Sequence, residues 1–341
     1  MGGSTAELRE RCQMLQKWAT ASLLLCADVE EGIGQRFEGG TWLVPPMAIG
    51  HLYKKEPQRA IKLAEQYGQC TGHQARCAGL NFVLAPVCDV NNNAANPVIN
   101  VRAWGEDPLT VSKLICAYQK GLATEGVLSC AKHFPGHGDT IQDSHLQLPV
   151  LEHSSQRLEE LEMVPFRAAI SAGVDCVMAA HLQLPKIDPL HPSTLSKPIL
   201  TDLLRKKLGF TGLVITDALV MNAISQTYPN GKSAVMAFAA GADILLMPSD
   251  ADEAIGAICD ALQSGQIPME RLESSLKRRS QAISKIQEFA CTSRTTNNAV
   301  THESIEREQD RALSIELLEE SIQIRHKVKV SQKRKGINLL R

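Results

Sequence analysis

Alternation of strand-like and helix-like segments predicts an α/β fold of the (β/α)8 barrel type, on three observations. Short continuous apolar runs recur, at 22–27, 81–88, 127–131, 174–180, 212–216 and 242–247. Runs that are apolar throughout, rather than at every second residue, suit parallel strands buried on both faces. Between them lie stretches with apolar groups at helical spacing. Nearly every run ends on a polar or ionisable residue: Asp28, Asp89, Lys132-His133, His181 and Asp217. The C-terminal ends of the strands are where a barrel gathers its active site. Aspartates after strands also serve as helix caps, which covers one or two of these positions but not Lys132 and His133.

In chain order, residues 5–19 place Leu8, Cys12, Leu15, Trp18 and Ala19 on one helical face. The run ending at Asp28 leads into a Gly-rich acidic turn, Asp28-Val-Glu-Glu-Gly-Ile-Gly-Gln-Arg-Phe37, then a loop through Pro45 and Pro46 and a helix over 57–78. After Asp89 the Asn-rich segment 91–96 reads as irregular. Asp107-Pro108 reads as an N-cap followed by proline at the first helical position, opening a helix to about 125. Helices follow over 156–172, 194–208, 231–240, 250–264 and 268–288. Residues 291–298 have linker composition, a further helix fits 303–321, and the tail from 325 is rich in Lys and Arg. The domains expected are 1–290, the barrel, and 291–341, a linker and helix.

Composition narrows the function. The chain has 341 residues, 44% of them hydrophobic, and a formal net charge of −1, so no global field favours nucleic acid or an anionic membrane. Aromatics at 4% argue against a base-stacking surface. Ten cysteines form no CxxC pair, and several sit in apolar runs; they read as reduced thiols of a cytoplasmic protein. No signal-peptide pattern and no apolar run of membrane-spanning length is read. Neither GxGxxG after a strand nor GxxxxGK[ST] occurs, so a nucleotide site has no support.

The densest chemistry lies in 130–149, where Lys132 and His133 stand at the end of an apolar run and His137, Asp139, Asp143 and His145 crowd the loop that closes at Pro149. Any one histidine suits a satisfied position beside a strand, and His with Asp also suits a metal, although no His-x3-His falls on a helix. Asp143-Ser-His145 suits a local dyad, because a carboxylate can fix the imidazole tautomer and raise its pKa.

Lys132-His-Phe-Pro-Gly-His-Gly-Asp-Thr followed by Asp143-Ser-His145 resembles the signature of family 3 glycoside hydrolases of the β-N-acetylhexosaminidase type. Asp28-Val-Glu-Glu-Gly with Arg36, Phe82-Val-Leu-Ala-Pro-Val-Cys-Asp89, Arg102-Ala-Trp-Gly-Glu-Asp-Pro108 and Leu213-Val-Ile-Thr-Asp217 keep the family's order. The resemblance implies an exo-acting retaining β-N-acetylglucosaminidase, with Asp217 as nucleophile and His145, oriented by Asp143, as acid then base. It implies that Asp28, Arg36, Arg102, Lys132 and His133 hold the sugar, that a small saccharide is the substrate, and that neither metal nor organic cofactor takes part. Alternatives on the same site are a phosphorylase, a β-glucosidase and a non-catalytic sugar binder; a metal-dependent hydrolase using His133, His137 and Asp139 is a further one. The sequence departs from the family at Glu30-Glu31-Gly32-Ile33-Gly34, where Glu-Gly-Gly-Arg is usual. By the same resemblance the barrel is incomplete at its first βα unit, and 291–341 reads as the truncated start of a second α/β domain.

Overall fold

Local signals set the first helices. Ser4 caps α1 (Thr5–Trp18) by accepting from Glu7 N at 3.2 Å while its own N–H donates to Glu7 Oε2 at 2.9 Å. The computed structural model describes residues 2–144, 146–296 and 305–327, with the side chains of 292–296 and 323–327 left aside. Beyond α1 come β1 (Cys26–Ala27), α2 (Met47–Tyr53), α3 (Pro57–Cys77), β2 (Phe82–Val83) and α4 (Pro108–Thr124). As the Asp-Pro pair predicts, Asp107 accepts from Thr110 N at 2.9 Å and Pro108 opens α4. Next are β3 (Cys130–Phe134), α5 (Ser155–Arg157), a π-helical segment Leu158–Glu162, α6 (Val164–Ser171), β4 (Cys176–Ala179) and β5 (Leu213–Thr216). The remaining helices are α7 (Asn222–Ser225), α8 (Asn230–Ala240), α9 (Ala251–Gln263), α10 (Met269–Thr296) and α11 (Glu308–Lys327).

Every strand pairing is parallel. β1 pairs with β2, and β3–β4–β5 form a second ladder. Single bridges, Phe82 to Leu128 and Ile215 to Ile244, extend the series on both sides. The six strand positions thus neighbour one another in sequence order, as successive crossover helices require. Both faces are dry. Phe82, Leu84, Leu128, Cys130, Cys176, Met178, Leu213 and Ile215 cluster on one face, and Val83, Ala131, Val177 and Val214 pack toward the helices on the other. This is the physical content of the continuously apolar runs.

Several expectations are corrected. β3 runs through Lys132 and His133 to Phe134 rather than stopping before them, and all five residues are buried. The single helix expected over 194–208 is a short 3-10 turn, Ser193–Leu195, followed by a π-helix, Pro198–Lys207, because Pro198 has no N–H to continue the first turn. Residues 242–247 contribute one bridge, not a paired strand. α10 continues to Thr296, across residues whose composition reads as linker. Of the cysteines in the apolar runs, Cys130 and Cys176 are buried and Cys26 is half-buried, while Cys259 and Cys291 elsewhere are exposed.

α10 lies across the N-terminal ends of the strands. Its Arg278 and Arg271 pair with Asp243, just before the Ile244 bridge, and its Lys285 with Asp175, just before β4. Ala282 and Ile286 of α10 pack onto the inner apolar cluster. α11 packs on α2 and α3, with Leu313 and Leu317 in the main core and Arg59 paired to Glu316 and Glu320. No described helix is long and apolar enough to cross a membrane. The strand C-terminal ends are left to form the site.

Candidate active site

Six of the eight predicted residues, Asp28, Arg36, Arg102, Lys132, His133 and Asp217, line one cavity of about 310 Å³ together with Glu30, Gln35, His137 and Ser144. Each is positioned by a short tether. Asp28 follows β1 directly, Lys132 and His133 belong to β3, and Asp217 follows β5.

One wall is an ion network. Lys132, 2% exposed, donates from Nζ to Asp28 Oδ1 and reaches Glu30 Oε1, both at 2.6 Å. Arg102 grips Glu30 with two bonds, Nε to Oε2 at 2.8 Å and a terminal N–H to Oε1 at 2.7 Å. Burial works against charge on Glu30, but Lys132 and Arg102 overcome it and hold the carboxyl well below its usual range. Burial likewise disfavours the Lys132 ammonium, and Glu30 and Asp28 outweigh it, raising its pKa. Arg36 donates through Nε to the Asp28 carbonyl at 3.1 Å.

The opposite wall rests on Asp89, which is fully buried. It faces His133 Nδ1 at 2.8 Å and accepts the His137 backbone N–H at 2.6 Å. Burial opposes its ionisation, and His133 and His137 reverse that, lowering its pKa. Asp217 forms the floor. It is half-buried and lines the cavity. Burial would raise its pKa; His181, His133, the Ala218 N–H at 2.8 Å and Lys132 together lower it. His181 is fixed by Thr194 Oγ1 at 2.7 Å from Nδ1, and its Nε2 donates to the Ala218 carbonyl at 3.0 Å. The result is an ionised carboxylate at neutral pH beneath a pocket of polar side chains.

Of the dyad, Asp143 is half-buried, and its carbonyl accepts from Leu146 N and Gln147 N at 3.0 Å in a tight turn. Ser144 lines the cavity, and His145 lies outside the described residues. The metal trio of His133, His137 and Asp139 is not assembled. Asp139 turns to His153 at 3.0 Å, while the two histidines engage Asp89, Thr140 and Ser144. Asp139, His153 and Glu162 do lie close together, with the Arg157 guanidinium 2.9 Å from Glu162 and 3.7 Å from Asp139.

Residues 2–281 match the family described as "Glycosyl hydrolase family 3 N terminal domain". The chain belongs to this family. Among similar proteins, β-hexosaminidase A of Pseudoalteromonas piscicida is 33% identical over 329 residues, 88% of this chain and 54% of that protein. A family 3 β-N-acetylglucosaminidase from Paenibacillus sp. str. FPU-7 superposes with a TM-score of 0.85 at 35% identity, covering 94% of this chain and 63% of its own. A β-glucoside phosphorylase superposes with a TM-score of 0.84 at 27% identity, covering 94% and 58%. This family 3 chain therefore spans little more than half the length of such relatives.

Residue reading of the family 3 motifs assigned no role to Glu30, Asp89 or His181. Glu30 could have been found: it stands two residues from Asp28 in the same acidic turn after the first apolar run. Asp89 and His181 carried the strand-end signal but no partner was readable for either.

Proposed function

We propose that this family 3 domain, closed as a (β/α)8-type barrel, is an exo-acting retaining β-N-acetylglucosaminidase. An oxocarbenium-like transition state needs an anion under the anomeric carbon and a proton donor at the leaving oxygen. Asp217 supplies the anion and the covalent bond to sugar; His145, oriented by Asp143, gives the proton and then withdraws one from water. Asp28, Arg36, Arg102, Lys132 and His133 hold the hydroxyls through charge-assisted hydrogen bonds. The observation that carries the reading is the ionised Asp217 in a polar cavity whose lining includes Ser144 of the dyad loop. A volume near the lower end of small-molecule sites, roughly 300–1,000 Å³, suits one sugar ring and hence terminal cleavage. The printed names of the Pseudoalteromonas and Paenibacillus relatives support the substrate class. We also propose a cytoplasmic setting.

The test is hydrolysis of an aryl N-acetyl-β-glucosaminide against the matching glucoside, with NMR of the first-formed anomer and mass-spectrometric mapping of a fluorosugar adduct. An α-anomer product, or an adduct on a peptide lacking residue 217, would sink the mechanism. The likeness to a phosphorylase favours one second reading, phosphate as acceptor, because an imidazole acid/base adds no negative charge to repel it. Appearance of sugar 1-phosphate when phosphate replaces other buffers decides between the two.

A further inference from the structure

His137 takes no part in the reaction proposed above, yet it is buried in the cavity wall at 2% exposure. Burial pushes its imidazole down to about 4, so at neutral pH it carries a single N–H. Both ring nitrogens are engaged. Nδ1 lies 2.7 Å from Thr140 Oγ1, and Nε2 lies 3.2 Å from Ser144 Oγ. Thr140 Oγ1 also lies 3.1 Å from the His137 carbonyl and receives the Asn96 amide at 3.3 Å. A hydroxyl both donates and accepts, so either tautomer of the ring keeps the bond between Nε2 and the Ser144 hydroxyl.

The two ends of that last bond differ in what holds them. On the His137 side, Asp89 accepts the backbone N–H, and the Asn96 side-chain amide donates to the carbonyls of His137 and Gly138 at 2.8 and 2.9 Å. On the Ser144 side stands the residue between Asp143 and His145. We propose that His137 is a positioning residue for proton transfer: its Nε2 clasps the hydroxyl of Ser144, the residue next in sequence to the proposed acid/base, and so holds Ser144 beside the loop that follows β3. This rests on the functional reading above.

The experiment compares kcat/KM of the full chain on two N-acetyl-β-glucosaminides. The phenyl glycoside needs a proton at its leaving oxygen, and the 2,4-dinitrophenyl glycoside departs without one. His137→Asn keeps an amide toward Thr140 and removes Nε2; Ser144→Ala removes the hydroxyl it meets; Ser144→Thr keeps a hydroxyl. A general acid contributes on the order of 10²–10⁴-fold, so a misplaced one should lower kcat/KM on the phenyl glycoside by about 10–100-fold and on the dinitrophenyl glycoside by under about 3-fold. Ser144→Thr should recover most of the loss. Equal falls on both glycosides, or Ser144→Ala at the parent ratio, overturn the clasp. Should His137→Asn not fold by circular dichroism, the Ser144 pair decides alone. A parent chain inactive on both glycosides instead overturns the functional reading and the clasp with it.

Discussion

Glu30→Gln tests the ion network that shapes the sugar wall. The substitution keeps the shape and removes one charge. Lys132, 2% exposed, is then left with Asp28, whose side chain is 46% exposed, and Arg102 keeps the Val98 carbonyl at 3.1 Å. Breaking a buried pair costs about 3–5 kcal/mol because the surviving charge stays desolvated. Lys132 retains one carboxylate and the new amide oxygen still accepts, so we place the loss below that range, at about 2–3 kcal/mol. At about 2–4 °C per kcal/mol that lowers Tm by roughly 4–12 °C. Urea denaturation at pH 7 and in acid reads it. The sign follows from the depressed carboxyl of Glu30: its contribution is complete above the ordinary carboxylate pKa and is lost as pH falls through the folded value. The gap between parent and Glu30→Gln must therefore narrow in acid. Adding Lys132→Met should cost less than the two single changes summed. A gap under about 0.5 kcal/mol at neutral pH, or one that widens in acid, would refute the reasoning.

Four further outcomes are expected. Asp217→Asn should lower kcat by about 10³–10⁴-fold, as removal of a reacting group does, with little change in the melt; parental turnover of an activated glycoside would mean the floor carboxylate is not the nucleophile. Because burial of Asp217 is outweighed by His181 and His133, the acid limb of kcat/KM due to it should fall below the ordinary aspartate range, and His181→Gln should move that limb to higher pH. Asp243, pressed between Arg205, Arg271 and Arg278 beneath the strands, should cost about 3–5 kcal/mol as Asn, the loss shrinking in acid because its pKa is lowered, while KM stays put. Gly68→Ala should destabilise by about 1–3 kcal/mol, since a Cβ there would stand 2.1 Å from the Tyr118 carbonyl and force α3 off α4.

Much of the candidate site was legible because buried parallel strands must be apolar, so a charge at a strand's end stands out. Asp28, Lys132, His133 and Asp217 were found that way and share one cavity, with Arg36 and Arg102 added by resemblance. Partner choice was not legible. Glu30 meets Arg102 across 72 residues, and Asp89 meets His133 across 44. The division of 194–208 into two helix types and the extension of α10 past 290 also escaped, since local composition does not report what a segment packs against.

By itself the chain determined its layer order: runs apolar on every residue must lie inside a parallel sheet, and amphipathic stretches of helical period must cover it, since each buries its own apolar surface. Only the tertiary structure decided which charges pair, that α10 covers the strands' N-terminal ends, and that Asp217 is ionised under a polar wall. Those depend on distances between residues far apart in sequence, and electrostatic energy is set by separation and burial in space, which linear order does not contain.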